Sequence, residues 1–188
     1  MDDSELAQAV LACRPFGVGR RGDGTVLPDY FNGHQLLADP RLLAAVADRL
    51  CRAVQSSPAT RVAGEVSAGS ALAVAVSLAG LRTGRVLPAH GLRREPKTYG
   101  VPGWLTVPAP AGSVFAVLDD VAGTGQAVVR GIRTLRRAGH EVCGAFVILD
   151  RGDGTTEAAA AEGVPLTSLF RLADLRAAQP ADRLISKL

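Results

Sequence analysis

The chain has 188 residues, 47% of them hydrophobic, and a net charge of +3. That length suits one domain with a substantial core, and so small a charge does not by itself mark a nucleic-acid-binding protein. Cys13, Cys51 and Cys143 are scattered, His34, His90 and His140 stand alone, and the uncharged run Val66 to Leu81 is short for a membrane span; a disulfide scaffold, a histidine-based metal site and a membrane protein are all disfavoured.

In chain order, the acidic start Asp2, Asp3 and Glu5 has the wrong charge for a signal peptide, and with the odd, widely separated cysteines a cytoplasmic protein is expected. Ser4 to Cys13 reads as a short amphipathic helix with Ser4 as its cap and Leu6, Val10 and Leu11 inward. Gly17 to Pro28 is rich in glycine and arginine and reads as loop or irregular hairpin. Tyr30 and Phe31 follow. Asp39-Pro40 opens a helix with proline at its first position, and Leu42, Leu43, Val46, Leu50 and Val54 keep a helical period. Ala59 to Val66 reads as a strand, Ser67 to Ser70 as a small-residue turn, Ala71 to Leu81 as a buried helix and Gly84 to His90 as a third strand. The basic, non-periodic segment Arg93-Arg94-Glu95-Pro96-Lys97-Thr98-Tyr99-Gly100 reads as a mobile surface loop. Lysine is otherwise found only at Lys187, which draws attention to Lys97.

Val114 to Val128 organises the rest. An apolar, β-branched run reads as a buried strand, ends in Asp119 and Asp120, and passes through Gly123-Thr124-Gly125 into a helix carrying Val128, Val129, Ile132 and Leu135 on one side. Amides at a helix start suit an anion, and glycines let a phosphate come close. Two carboxylates just before them suit hydroxyl groups or a metal ion. A ribose 5-phosphate fits both ends. The turn also has two of the three glycines of a dinucleotide-binding unit, but the adjoining acids would repel a pyrophosphate there. Arg130, Arg133, Arg136 and Arg137 lie opposite the apolar residues and read as a solvated helix face. Glu141 to Asp150 is another strand, Thr155 to Glu162 a helix, Val164 to Leu169 a last strand and Arg171 to Ala178 a last helix. The alternation implies a mostly parallel α/β sheet with helices on both faces, and ligands at the carboxyl ends of the strands.

The Asp-Asp-glycine stretch resembles the 5-phosphoribosyl-1-pyrophosphate (PRPP) motif of type I phosphoribosyltransferases. The resemblance implies that family's fold over residues 1–188 as one domain, with residues 1–35 contributing a small N-terminal hood. It also implies a PRPP site at Asp119, Asp120, Val121, Ala122, Gly123, Thr124, Gly125, Gln126 and Ala127, the acids holding the ribose hydroxyls and the turn the 5′-phosphate. Ser67-Ala68-Gly69 sits where the family has its pyrophosphate loop. Pro28 to Asn32, the basic segment and Asp150-Arg151 are similar to segments of orotate phosphoribosyltransferases. By that likeness Arg93, Arg94, Lys97 and Tyr99 lie in the catalytic loop, with Lys97, Arg93, Asp119 and Asp120 as catalytic residues. Arg151, Tyr30, Phe31 and Gly123 contact the acceptor. Mg²⁺ is held by Asp119 and Asp120 largely through PRPP and water, and a homodimer exchanges loops. The implied reaction transfers ribose 5-phosphate from PRPP to orotate. A related transferase with another acceptor and a non-catalytic PRPP or nucleotide sensor are the alternatives. Gly123 stands where the family has threonine, the family's N-terminal Lys-Ser-Gly has no counterpart, and Glu65 places a carboxylate beside the pyrophosphate loop.

Overall fold

The computed structural model describes residues 1–13, 19–20, 24, 26–27 and 31–178. Helix α1 (Asp3–Ala12) is capped by Asp2 rather than Ser4. The Asp2 carboxylate accepts from the Glu5 amide (2.8 Å) while Glu5 accepts from the Asp2 amide (2.9 Å), a reciprocal box that Ser4 lacks the spacing to form. Strands β1 (Gly19–Arg20) and β2 (Val26–Leu27) pair antiparallel, in keeping with a short hairpin. Helix α2 (Gly33–Ala38) is too short to leave a period in the sequence. It runs into α3 (Pro40–Gln55), where Asp39 accepts from the amides of Arg41 and Leu42, and Val46, Leu50 and Val54 point inward.

The central unit is β3 (Arg61–Glu65), α4 (Ala68–Arg82), β4 (Ala89–Lys97), β5 (Gly103–Leu105), β6 (Val114–Ala122), α5 (Gln126–Arg137), β7 (Glu141–Asp150), α6 (Thr155–Ala161), β8 (Leu166–Arg171) and α7 (Leu172–Ala177). The sheet order is β5-β4-β3-β6-β7-β8, parallel throughout except for β4 with β5. From β3 the chain crosses to β4 on one side, and from β6 to β7 on the other. The direction of winding therefore reverses between β3 and β6, where open parallel sheets leave a crevice. One core holds Leu6, Leu36, Leu50, Val76 and Ile148 on the α1–α4 and α7 face; the other packs Phe115, Ile132, Leu135 and Val147 under α5 and α6. No helix among the described residues is long and apolar enough to cross a membrane.

Four expectations change. Ser67 to Ser70 is not a separate turn, because α4 begins at Ala68. Gly64 and Gly69 allow this: a Cβ on Gly64 would run into the Gly69 backbone, so the start of α4 lies directly on β3. Second, α4 is buried on one side only; Val74, Leu78 and Leu81 are 53%, 54% and 57% exposed. Third, the strand after α4 starts at Ala89, not Gly84, since Arg85 turns its guanidinium onto the carbonyls of Gln55, Ser57 and Ala59 and Pro88 has no amide to give a ladder. Fourth, Arg93 to Lys97 is not a loop. It continues β4 and returns through β5 as a hairpin, with Arg93 donating to the carbonyls of Val101 (3.1 Å), Gly103 (2.8 Å) and Leu105 (2.7 Å). His90 is a satisfied core histidine, its Nδ1 2.9 Å from the Val107 carbonyl oxygen.

Candidate active site

An open cleft of about 710 Å³ lies at the carboxyl ends of β3 and β6, at the reversal point of the sheet. Its floor is the end of β6. Successive side chains on a strand face opposite ways, so Asp119 and Asp120 diverge. Asp120 lies against α2, where a Cβ on Gly33 would overlap its carboxylate. Asp119 sits deeper, and burial, then the neighbouring Asp120 charge, holds its carboxyl well above the usual carboxylate range. Each acid also accepts a backbone amide, Asp119 from Asp120 (3.1 Å) and Asp120 from Val121 (2.9 Å).

The turn beyond is fixed from three sides. Gly125 takes φ +77°, a left-handed conformation that a side chain would strain, and a Cβ there would press on Ala158 at 2.9 Å. Thr155, buried at the start of α6, donates to the Gly123 carbonyl at 2.6 Å. The Arg151 amide donates to the Ala122 carbonyl at 2.9 Å. Residues Val121 to Ala127 all line the cleft, with the turn at the N-terminus of the twelve-residue α5. Oriented amides at that position favour an anion.

Ser67, Ala68 and Gly69 form the opposite wall at the start of α4. His34 joins them, its Nε2 3.4 Å from Ser67 Oγ. Arg151 forms the rim beside Gly123, its Nε donating to Asp153 at 3.2 Å. Phe31 is buried at the edge of the cleft, while Tyr30 lies outside the described residues.

The basic segment divides. Arg94 lines the cleft; Arg93, Lys97 and Tyr99 do not. Arg93 serves as the brace of the hairpin, and the Lys97 ammonium stacks over the Tyr99 ring at 4.2 Å near the exposed tip. Glu65, expected beside the pyrophosphate loop, and Arg130, not expected at a binding site, face each other across the wall. Arg130 Nε and Nη2 donate to the two Glu65 oxygens at 2.8 and 3.0 Å, and Arg94 Nε lies 3.6 Å from the same carboxylate. The solvated-face reading therefore fails for Arg130. It holds for its neighbours in part: Arg133 and Arg136 pair with Glu162, the cap residue at the end of α6, and Arg137 lies over Trp104. The signal available in the sequence was position, since Arg130 follows the glycine turn by little more than one helical turn.

Among the described residues no group of three or more His, Cys, Asp or Glu could enclose a metal ion. The adjacent acids could share a hard cation only with ligands from substrate and water.

No family model matches the chain. It is 33% identical over 184 residues to the orotate phosphoribosyltransferase of Thermosynechococcus vestitus, covering 94% of this chain and 97% of that one. The crystal structure of Mycobacterium tuberculosis orotate phosphoribosyltransferase with Fe(III) dicitrate superposes with a TM-score of 0.81 at 24% identity, over 93% of this chain and 99% of that one. The same enzyme in complex with PRPP superposes at 0.74 and 22% identity, over 92% and 90%.

Proposed function

This chain belongs to the orotate phosphoribosyltransferase family, and from that premise we propose how its cleft carries out the reaction. The protein is a pentosyltransferase that moves ribose 5-phosphate from PRPP to orotate, giving orotidine 5′-monophosphate and pyrophosphate. The alternatives, another acceptor or a sensor without turnover, are not favoured. The observation that carries the site assignment is the divergent acid pair running straight into a braced glycine turn, in one cleft with Arg151 on its rim.

In this reading the 5′-phosphate rests on the amides of Gly123 to Ala127 and the ribose diol beside Asp119 and Asp120. The diphosphate points to Ser67, Ala68 and Gly69. Mg²⁺, held by the acids chiefly through substrate and water, would supply positive charge between diol and diphosphate. As the C1–O bond stretches, the sugar gains oxocarbenium character and the diphosphate gains negative charge. Cations must meet that charge where it develops. Arg94 stands ready at the wall. Lys97, a compact charge on a flexible stem, meets that charge when the hairpin tip folds over the cleft of the neighbouring subunit and shuts out water. Arg93 contributes by keeping the hairpin in shape, and Tyr99 travels with Lys97. Arg151 takes the orotate carboxylate, with Phe31 against the ring and Gly123 leaving room beside it.

The Lys97 tip stands clear of its own cleft, which supports a homodimer in which each hairpin serves the neighbouring subunit. The free thiols Cys13, Cys51 and Cys143 support a reducing, cytoplasmic setting. The test is pyrophosphate release on mixing the protein with PRPP, Mg²⁺ and orotate. Orotate-dependent release is expected; release only with other bases, or PRPP binding without release, would refute the assignment. Mixing Lys97→Ala subunits with Asp120→Asn subunits should restore activity if hairpins are exchanged, and leave it absent if they are not.

A further inference from the structure

A carboxylate is out of place beside a site for a diphosphate. Glu65 nevertheless ends β3 two residues before Ser67, with its side chain only 13% exposed. Its charge is not presented bare. Both oxygens are taken by the Arg130 fork at 2.8 and 3.0 Å, and Arg94 approaches one of them at 3.6 Å. The three residues come from β3, β4 and α5, and all of them line the cleft. Together they carry one net positive charge.

The way the nitrogens are used is informative. Glu65 occupies Nε and Nη2 of Arg130, which fixes the guanidinium plane. Nη1 makes no hydrogen bond among the described residues. Arg94 is engaged only through Nε, and weakly, so both of its terminal nitrogens remain for a second anion. Glu65 also strengthens the hold of Arg130 on its proton, through their hydrogen bond first. A simple surface ion pair would not need a largely covered acid shared by two arginines from flanking elements.

We infer that Arg130 is a further substrate-binding residue at the diphosphate end of the cleft, and that Glu65 is a positioning residue that sets Arg130 and Arg94 as a two-arginine clamp. This rests on the assignment of the diphosphate to the Ser67–Gly69 wall. The clamp lets one acid, repulsive by itself, increase affinity for a polyanion by aligning two cations toward it.

The sign of one substitution tests this. Calorimetric titrations would compare PRPP, pyrophosphate and ribose 5-phosphate, with Mg²⁺, on the wild type, Glu65→Gln, Arg130→Met and the double variant. Arg130→Met is expected to weaken PRPP and pyrophosphate about ten- to a hundredfold, the loss of a charge-assisted contact, while ribose 5-phosphate changes less than about threefold. KM for orotate should hold. Glu65→Gln removes a negative charge from an anion site, so simple electrostatics demands tighter PRPP binding; the clamp demands binding roughly five- to tenfold weaker, with a smaller loss in the Arg130→Met background, where only Arg94 remains to be set. Tighter binding by Glu65→Gln overturns the inference. So does an Arg130→Met protein that loses ribose 5-phosphate as much as pyrophosphate. If Arg130→Met does not fold, Arg130→Lys keeps the charge without the fork and is expected to show the same selective loss at smaller size; wild-type affinity there overturns the clamp. A wild type that binds ribose 5-phosphate but not pyrophosphate would instead defeat the underlying assignment of the diphosphate wall, before any variant is compared.

Discussion

The glycine turn after β6 and the hairpin of β4 and β5, given complementary parts in the proposed reaction, are built in opposite ways. The turn is held by backbone: Gly125 in a left-handed conformation, the Thr155 hydroxyl on the Gly123 carbonyl, the Arg151 amide on the Ala122 carbonyl. None of these contacts requires a ligand. The hairpin is held chiefly by one guanidinium, and its tip carries Lys97 on a Tyr99 that is 73% exposed. Under the proposed function, the donor phosphate would meet a site already formed, while the charge needed later, when pyrophosphate leaves, would be brought by the exposed hairpin tip.

That contrast can be broken most severely at Lys97. Lys97→Ala is expected to lower kcat about a hundred- to a thousandfold, the usual effect of removing a donor that acts in the transition state. PRPP affinity in a direct titration should stay nearly constant; a matching fall in affinity would make the hairpin part of the preformed site. Arg151→Ala separates acceptor from donor on the rigid side. KM for orotate should rise roughly ten- to a hundredfold, from loss of a charge-assisted contact, with PRPP binding unchanged, and a change confined to PRPP would reassign the rim.

Thr155→Val tests whether the turn is rigid because it is braced. The Gly123 carbonyl loses its buried donor, at a cost of about 1–3 kcal/mol. Denaturant unfolding should report that cost, and PRPP should bind more weakly. Full stability with full affinity would show that the brace is incidental. The smallest effect expected is at Asp119. Its carboxyl titrates well above the ordinary range because of burial and Asp120. A carboxyl whose folded value is raised favours folding while protonated and loses that advantage as pH rises through the folded value. Asp119→Asn should therefore melt a few degrees higher than wild type at neutral pH without ligand. The gap should close as pH falls below about 3.9, the unfolded aspartate value. An equal or lower melting temperature at neutral pH would show that the acid is not strained by its position.

Much of the rigid half was legible in the sequence because its signals are local. A β-branched run, two acids and a glycine turn are contiguous from Val114 to Val128, and the strand and helix fall where the pattern places them. The hairpin half was misread for a physical reason. Charge, proline and glycine in Arg93 to Gly103 argued for a loop, but pairing with the three-residue β5 and the Arg93 fork turns that segment into a hairpin. The Glu65–Arg130 pair was invisible because its members lie far apart in sequence, and helical spacing alone cannot show that one arginine of a basic face turns into a cleft. Composition also could not say that α4 leaves Val74, Leu78 and Leu81 uncovered. The N-terminal segment was read in outline, yet α2, which brings His34 to the Ser67 wall, has too few residues to show a period.

Gly33 has a consequence for anyone recombining this scaffold. The Asp120 carboxylate already fills the volume that even a methyl group on residue 33 would need. The chain ahead of the sheet and Asp120, the acid proposed to hold the ribose, are thus mechanically interlocked through one missing side chain. A transplanted N-terminal segment that brings alanine to that position would shift the acid, and the graft would alter ribose geometry without touching the sheet that carries it.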